Sequence, residues 1–211
     1  MLTREQIVAW LQACAGVFER ERDMLTGLDT DIGDGDHGIN MQRGFAKVAE
    51  KLPSVADKDI GQILKTTGMT LLSSVGGASG PLYGTFFIRA AAVADAHQCL
   101  SLAELQQMLS EGVEGVVARG RAEPGDKTMC DAWWPALAAL GQAQARGAEL
   151  PQALAEAVAA AEQGARDTIP MQARKGRASY LGERSIGHQD PGATSTCLLL
   201  AALARSAGGG A

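Results

Sequence analysis

Apolar residues recur every three or four positions along most of this chain, and over no useful length do valines and isoleucines alternate with polar residues. The first such run carries Ile7, Val8, Leu11, Cys14, Val17 and Phe18. This spacing places side chains on one face of an α-helix, whereas a half-buried strand alternates with a period of two. Alanine and leucine dominate the apolar residues and aromatic residues make up only 4% of the chain, which also favours helices. The sequence therefore predicts an all-α fold.

Capping and stop signals divide this pattern into eight predicted helices. Thr3 followed by Gln6, and Ser101 followed by Glu104, are typical of capping boxes at helix N-termini. The helices are expected over residues 3–22, 40–52, 60–74, from 81 onward, from 102 onward, and over 128–145, 151–168 and 194–204. Because no internal repeat and no long linker separates them, residues 1–211 are expected to form a single domain.

Four connections between these helices are rich in Gly, Asp, Ser and Pro: residues 25–39, 73–80, 120–127 and 174–193. Long connections in compact domains are often functional. If the helices alternate in direction, all four connections lie at the same end of the molecule. The order of the elements thus predicts one binding site at one end of a helical bundle.

The segment from Gly27 to Gly38 holds four aspartates among four glycines. Carboxylates crowded this closely repel one another unless a cation neutralises them, and glycine lets the backbone turn tightly enough for them to converge. Oxygen ligands of this kind favour magnesium or calcium. No register that starts at Asp29, Asp31 or Asp34 gives the glycine and glutamate positions of an EF-hand. Magnesium completed by substrate phosphates is the favoured interpretation, and aspartates that only cap the next helix are the alternative.

Composition and missing motifs exclude several classes of protein. A net charge of −5 without a long basic run disfavours a nucleic-acid binder. No apolar stretch reaches the roughly 18 residues of a membrane span and no signal peptide opens the chain, so a cytoplasmic location without membrane association is expected. The four cysteines form no CxxC pair, which disfavours a zinc cluster. Without a Walker P-loop or GxGxxG fingerprint, a nucleotide would be held by metal ions and helix N-termini.

The other connections offer groups for a phosphorylated ligand. Residues 73–80 lead into a helix, where free N–H groups and the Ser79 hydroxyl would face a phosphate; a turn that serves only helix packing is the alternative. The lid segment, residues 174–192, is the only locally basic stretch, and its Arg177 is the best candidate for a phosphate contact; a solvated loop is the alternative. Met129 would cover an adenine ring or belong to the core.

These segments together resemble the L subunit of bacterial dihydroxyacetone (glycerone) kinases, and the resemblance covers essentially the whole chain. It is carried by Gly-Leu-Asp with Gly-Asp-Gly-Asp-His-Gly-Ile-Asn-Met, by Gly-Gly-Ala-Ser-Gly-Pro-Leu-Tyr-Gly, by Glu-Pro-Gly-Asp-Lys-Thr-Met, and by Tyr-Leu-Gly-Glu-Arg-Ser-Ile-Gly-His-Gln-Asp-Pro-Gly-Ala. Four separate motifs in the same order make this resemblance specific.

The resemblance implies an eight-helix antiparallel barrel with a nucleotide, ADP or ATP, at one rim. It implies two Mg²⁺ ions that bridge the phosphates and are held by Asp29, Asp34 and Asp36, whereas Asp31 lies outside the strict metal pattern. The residues it implies for nucleotide contacts are His37, Gly38, Ile39, Asn40, Ala78, Ser79, Gly120, Met129, Arg177, Asp190, Pro191 and Gly192. No residue is assigned as a general base.

The resemblance also implies partners. In this family a separate K subunit binds dihydroxyacetone covalently through a histidine, and the L subunit delivers the phosphoryl group, so the loop-bearing rim is expected to dock the K subunit. Because this chain carries only the L part, we expect the phosphotransferase-system version, in which ADP stays bound and a phosphocarrier subunit rephosphorylates it from phosphoenolpyruvate. The alternatives are a related kinase for another keto-sugar or a fatty acid, and a non-catalytic nucleotide sensor. The sequence leaves a homodimer open.

Overall fold

The structure is a computed structural model, and it describes residues 1–208. Within these residues the chain forms nine α-helices: α1 Arg4–Arg20, α2 Arg22–Ile32, α3 His37–Lys51, α4 Ile60–Ser74, α5 Ser79–Val93, α6 Leu102–Gly120, α7 Cys130–Ala145, α8 Leu150–Asp167 and α9 Pro191–Ala207. Two 3-10 segments, Leu52–Ser54 and Arg177–Ser185, complete the helical structure. The two-residue strands β1 Leu2–Thr3 and β2 Cys99–Leu100 pair antiparallel. The prediction of an all-α fold is confirmed.

The additional helix is α2, which occupies much of the segment expected to be a connection from residue 25 onward. Its aspartates and glycines are typical of a loop, but Leu25 and Ile32 lie seven residues apart and are both buried. This spacing puts both side chains on one face, so packing offsets the weak helix propensity of Gly and Asp. The prediction of one irregular loop over residues 25–39 is therefore wrong, and only the four residues between α2 and α3 remain outside helices.

Apart from α2, the helices pack in chain order, α1, α3, α4, α5, α6, α7, α8 and α9, and α9 returns to α1. The Trp10 side chain supports this return, since its indole N–H donates to the Leu199 carbonyl at 2.9 Å. Helix α2 contacts α3, α9 and the 3-10 segment of the lid. This closed order of neighbours is what a barrel requires, although the antiparallel barrel itself stays a prediction.

One hydrophobic core runs through all of these helices. Its largest members are buried aromatic rings, with Phe86 stacked on Trp133 at 4.7 Å between centroids and Phe18 stacked on Phe45 at 4.8 Å. Stacked pairs of this kind stabilise a fold beyond the area that they bury. In the described part of the chain no helix combines the length and the apolar character needed to cross a membrane.

Helices α4 and α5 approach each other closely at two helix-internal glycines. A Cβ atom added to Gly68 would lie 2.7 Å from the Gly84 carbonyl oxygen, and one added to Gly84 would lie 3.0 Å from the Gly68 carbonyl oxygen. Glycine inside a helix costs about 1 kcal/mol relative to alanine, so its presence here reflects the close crossing. The turn at residues 75–78 joins these two helices and leads into the N-terminus of α5.

Candidate functional site

The four connections singled out from the sequence meet at one cavity of about 420 Å³. Its walls come from the end of α2, the turn before α5, the end of α6 with the turn before α7, the lid segment and the start of α9. This volume is typical of pockets that bury a small ligand. Four helices, α3, α5, α7 and α9, contribute residues at or next to their N-termini to the lining.

Three carboxylates form an acidic cluster, Asp29, Asp34 and Asp36, at this cavity. One carboxylate oxygen from each residue lies within 4.8 Å of the other two. Asp29 belongs to the last turn of α2, and its Oδ2 accepts the main-chain N–H of Asp36 at 2.8 Å and of His37 at 3.1 Å. Burial raises the pKa of Asp29, the two N–H groups lower it, and the charges of Asp34 and Asp36 raise it again. A divalent cation would relieve this repulsion.

Arg177, at the start of the 3-10 segment in the lid, lies over this cluster. Its Nε is 2.8 Å from Asp34 Oδ2, in an ion pair whose arginine side chain is 68% exposed. An exposed pair contributes little to stability. This ion pair matters because it places a guanidinium next to the carboxylates of the acidic cluster. Asp31 Oδ2 lies 3.5 Å from His188 Nδ1, and Asp31 is not part of the acidic cluster.

His37, the first residue of α3, joins the N-termini of two other helices. Its Nδ1 lies 3.0 Å from Ser79 Oγ, at the start of α5, and its Nε2 lies 2.9 Å from Ser195 Oγ, in α9. Burial lowers the pKa of His37 to about 4, so the ring is neutral at pH 7. With both ring nitrogens engaged, His37 organises the cavity wall and has no free nitrogen for a reacting group.

Two buried titratable residues, Asp190 and Lys127, also line the cavity. Asp190 caps α9 by accepting the Ala193 N–H at 2.7 Å. Burial raises its pKa to about 7, while the Ala193 N–H and the charge of Lys127 lower it. Lys127 donates from Nζ to the carbonyl oxygens of Thr168, at 2.6 Å, and His188. Lys127 was not among the predicted site residues, and its position in the Gly-Asp-Lys-Thr turn was the one available signal.

Apolar side chains line another part of the cavity. Leu82 comes from α5, Val116 from α6, and Met129 from the turn before α7. Met129 is buried, with 5% of its surface exposed. Gly120 keeps this wall open, since a Cβ atom there would lie 3.3 Å from Leu82 Cδ2. Met129 and Gly120 were among the predicted site residues, whereas Leu82 and Val116 were not.

Of the fifteen residues expected from the sequence, twelve line the cavity and three, Gly38, Ile39 and Asn40, do not. Gly38 packs tightly against α2, Ile39 is 47% exposed, and the amide oxygen of Asn40 accepts from Arg43 at 2.6 Å. A nucleotide contact of these three residues stays a prediction. The twelve that line it are Asp29, Asp34, Asp36, His37, Ala78, Ser79, Gly120, Met129, Arg177, Asp190, Pro191 and Gly192.

The fold and site define a class of protein, an all-α protein whose helix N-termini and acidic cluster share one cavity with an apolar wall. Comparison with known proteins gives the family. The model of the DAK2 domain family matches residues 31–205. The chain therefore belongs to the DAK2 domain family.

Curated relatives match 90% or more of the chain. It is 63% identical to the ADP-binding subunit DhaL of the PEP-dependent dihydroxyacetone kinase of Escherichia coli, over 98% of each chain. It is 47% identical to the corresponding subunit of kinase 2 of Listeria innocua, over 90% of this chain and 88% of that one. The resemblance drawn from the sequence motifs is thus confirmed.

Solved structures of a longer relative share the fold. The dihydroxyacetone kinase of C. freundii, in a crystal structure with AMP-PNP and Mg²⁺, matches with a TM-score of 0.71 and 27% identity. The match covers 96% of this chain and 33% of that chain. The chain thus corresponds to about a third of that kinase.

Proposed function

We propose that this chain is the ADP-binding subunit of a multi-subunit dihydroxyacetone kinase, in which its nucleotide passes a phosphoryl group to dihydroxyacetone held by a K subunit. The observation that carries the proposal is the acidic cluster, which shares one cavity with the N-termini of α3, α5 and α9. The names of the full-length relatives support the same activity. We further propose that residues 1–211 act as one domain.

The residues present fit magnesium. Three carboxylates within 4.8 Å of one another form a hard oxygen donor set, the kind that Mg²⁺ prefers, and part of its coordination shell is commonly left to phosphates. We propose two Mg²⁺ ions held by Asp29, Asp34 and Asp36. Bound there, the ions would neutralise phosphate charge and polarise the phosphoryl group that is transferred.

The other groups of the cavity suit the rest of a nucleotide. The helix N-termini offer unpaired N–H groups and a positive dipole end to the phosphates. Arg177 is placed to bind a phosphate oxygen once a cation takes its place beside Asp34. The apolar wall of Leu82, Val116 and Met129 suits an adenine ring, which is flat and largely apolar on its faces.

We propose that the loop-bearing rim, where the four connections surround the cavity, docks the K subunit. The same rim would in turn dock a phosphocarrier subunit that rephosphorylates bound ADP from phosphoenolpyruvate. One relative, from Lactococcus lactis, is named the ADP-binding subunit of a PTS-dependent dihydroxyacetone kinase, and it is 38% identical over 96% of this chain. The lid segment carries two exposed apolar side chains suited to a protein contact, Tyr180 at 87% exposure and Ile186 at 44%. A cytoplasmic location follows from these proposed partners, and a homodimer stays open.

Native mass spectrometry tests the nucleotide site directly. We expect the purified protein to carry one ADP and two magnesium ions, because the lid segment and the metal ions would slow release. A mass equal to the bare polypeptide, unchanged after magnesium and ADP are added, would contradict the proposal. Phosphoryl transfer to dihydroxyacetone with purified K and phosphocarrier subunits tests the activity itself.

A second candidate is a kinase subunit for another keto-sugar. The L-erythrulose kinase of Pectobacterium atrosepticum is 32% identical over 93% of this chain, which corresponds to 34% of that protein. Parallel assays with dihydroxyacetone and L-erythrulose separate the two. Transfer of the phosphoryl group to erythrulose or to a fatty acid, without transfer to dihydroxyacetone, would contradict the first proposal and support the corresponding alternative. If the chain were instead a non-catalytic nucleotide sensor, the Asp34→Ala variant would lose nucleotide binding while phosphoryl transfer by the kinase stayed intact.

A further inference from the structure

A groove of about 630 Å³ lies between α3 and α4, next to the cavity of the candidate site. Gly76, in the turn between α4 and α5, lines both the groove and the cavity. The groove therefore begins at the rim of the cavity and leads away from it along the two helices. Its α4 wall carries three hydroxyl side chains, Thr70, Ser73 and Ser74.

The wall formed by α3 is basic. Arg43, Lys47 and Lys51 follow one another at intervals of four residues, so they share one face of the helix over about 12 Å. Lys47 forms an exposed ion pair with Glu50 at 2.8 Å, and such a pair opens at little cost. Of the residues that the structure describes, no Asp or Glu lines this surface, which we call the basic groove. Its positive charge contrasts with the net charge of −5 of the chain.

The cation nearest the cavity, Arg43, is held in place. Its Nε donates to the Ser74 carbonyl oxygen at 2.9 Å, and its Nη2 donates to Asn40 Oδ1 at 2.6 Å. A Cβ atom on Gly76 would lie 3.4 Å from Nη2, so the guanidinium is next to the residue that the groove and the cavity share. The positive charge of the basic groove thus extends to the rim.

Exposed apolar side chains flank the basic groove. Ile39 lies one turn before Arg43 on α3 and is 47% exposed. Met69 lies one turn before Ser73 on α4 and is 58% exposed. A site for a small anion needs no such side chains, whereas Met and Arg are enriched at protein interfaces. The surface therefore fits a protein that presents acidic groups.

Two protein partners follow from the proposed function, and charge separates them. The phosphocarrier approaches with a phosphoryl group, and such a group on a protein carries a charge of roughly −1.5 to −2 at pH 7. The K subunit instead presents dihydroxyacetone, which has no charge. Cations at the rim speed the approach of an anionic partner and suppress the approach of a wrong one. The basic groove therefore suits the phosphorylated carrier.

We propose that the basic groove docks the phosphorylated phosphocarrier through an acidic surface of that subunit, while the K subunit contacts the rim from the side of the lid segment. This inference rests on the proposed function. Once the carrier has given up its phosphoryl group, it has lost part of the charge that the groove attracts. Its departure then clears the rim for the K subunit.

Charge reversal tests this inference in two half-reactions, each followed by rapid quench with the full chain. The first is transfer from the phosphorylated carrier to bound ADP, and the second is transfer from bound ATP to dihydroxyacetone on the K subunit. The groove variant is the double substitution Lys47→Glu and Lys51→Glu. The matched control is Lys58→Glu with Lys65→Glu, which makes the same change of charge at exposed lysines outside the groove.

We expect the groove variant to slow the first half-reaction by a factor on the order of ten at low salt, and to leave the second half-reaction and ADP affinity unchanged. The difference should largely disappear at about 1 M salt, where the Debye length is about 3 Å. Lys47→Gln with Lys51→Gln removes the charge without reversing it and should have a smaller effect. The control should react like the wild type.

An unaffected groove variant, equal slowing of both half-reactions, slowing of the second alone, or the same slowing in the control would each overturn the inference. ADP affinity, measured in parallel, shows whether each variant is folded. A wild-type chain that binds no Mg²⁺–ADP, or that accepts no phosphoryl group from the carrier, would contradict the proposed function and the inference together. An active wild type with an unaffected groove variant would contradict the inference alone.

Discussion

The side chain of Asp29, in the last turn of α2, accepts the main-chain N–H of His37, the first residue of α3, at 3.1 Å. One carboxylate thus belongs to the acidic cluster and also caps α3, whose first residue lines the cavity. Any ligand that moves Asp29 therefore also moves the start of α3. This coupling makes the acidic cluster the first target for mutation.

Replacing Asp34 by Asn should weaken Mg²⁺-dependent ADP binding by at least tenfold, which corresponds to about 1.4 kcal/mol. The variant removes one negative ligand and keeps the volume of the side chain. Asp31→Asn is the matched control, since Asp31 is exposed on α2 and lies outside the cluster. Isothermal titration calorimetry with Mg²⁺ and ADP compares the three proteins. Equal losses in both variants would show that general charge, rather than the cluster, governs binding.

The Arg177→Ala variant removes the guanidinium and should lower ADP affinity by a factor on the order of ten. A hydrogen bond to a charged group contributes about 1.5–3 kcal/mol to the free energy of an interaction. The free energy of unfolding should hardly change, as the pair with Asp34 is largely exposed. Arg184→Ala, in the same 3-10 segment, is the control, because Arg184 is exposed and does not line the cavity. The idea of a phosphate contact fails if both variants bind ADP like the wild type.

The pKa of Asp190 predicts how stability depends on pH in the absence of ligand. Its folded value of about 7 lies above its unfolded value of roughly 3.9, so the folded state binds the extra proton. Stability contributed by this group is therefore lost as pH rises from about 4 to about 7, by at most about 1.4 kcal/mol per pH unit. His37 has the opposite effect, because its lowered pKa removes stability as pH falls through the unfolded value of about 6.5.

Comparison with Asp190→Asn isolates the contribution of Asp190, since His37 is common to both proteins and asparagine also caps helices. Urea unfolding at pH 5 and pH 8 should show that the wild type loses more stability over this interval than the variant. Parallel pH profiles would mean that Asp190 is ionised throughout, held so by the charge of Lys127.

Tyr180 offers a test of the docking surface that leaves the nucleotide site intact. Its side chain is 87% exposed and does not line the cavity, so Tyr180→Ala should not change ADP affinity. If the rim docks the K subunit, the variant should weaken the complex by several-fold, because truncating an aromatic interface residue commonly costs more than 1 kcal/mol. Tyr180→Phe should retain most of the affinity. Surface plasmon resonance with immobilised K subunit measures all three proteins.

The parts of the site that could be predicted from the sequence are those whose residues lie close together in the chain. Crowded carboxylates at Asp29, Asp34 and Asp36 have a physical explanation that needs no tertiary structure, because like charges repel wherever they meet. Helix α2 was missed because Gly27 and several aspartates have low helix propensity, and only the packing of Leu25 and Ile32 offsets it.

The buried position of Lys127 could not be predicted from its surroundings in the sequence. The carbonyl oxygens that accept from its Nζ belong to Thr168 and His188, which lie 41 and 61 residues further along the chain. Its φ of 63° is also uncommon for a residue other than glycine. Contacts over such distances depend on how the helices are arranged, which the helical periodicity of each segment does not specify. The Ser195 contact of His37, 158 residues away, has the same origin.

Gly38 makes the contact between α2 and α3 testable, and Gly27 provides its control. A Cβ atom at Gly38 would lie 1.9 Å from the Arg22 carbonyl oxygen and 2.5 Å from Thr26 Oγ1, so Gly38→Ala must push the two helices apart. Because Asp29 caps α3 from α2, we expect this variant to lose both stability in urea unfolding and Mg²⁺-dependent ADP affinity. At Gly27, within α2, a Cβ atom would meet nothing within 4 Å, so Gly27→Ala should raise the free energy of unfolding by about 0.5–1 kcal/mol and leave ADP binding unchanged. A Gly38→Ala protein that binds Mg²⁺–ADP like the wild type would contradict the coupling between this helix contact and the acidic cluster.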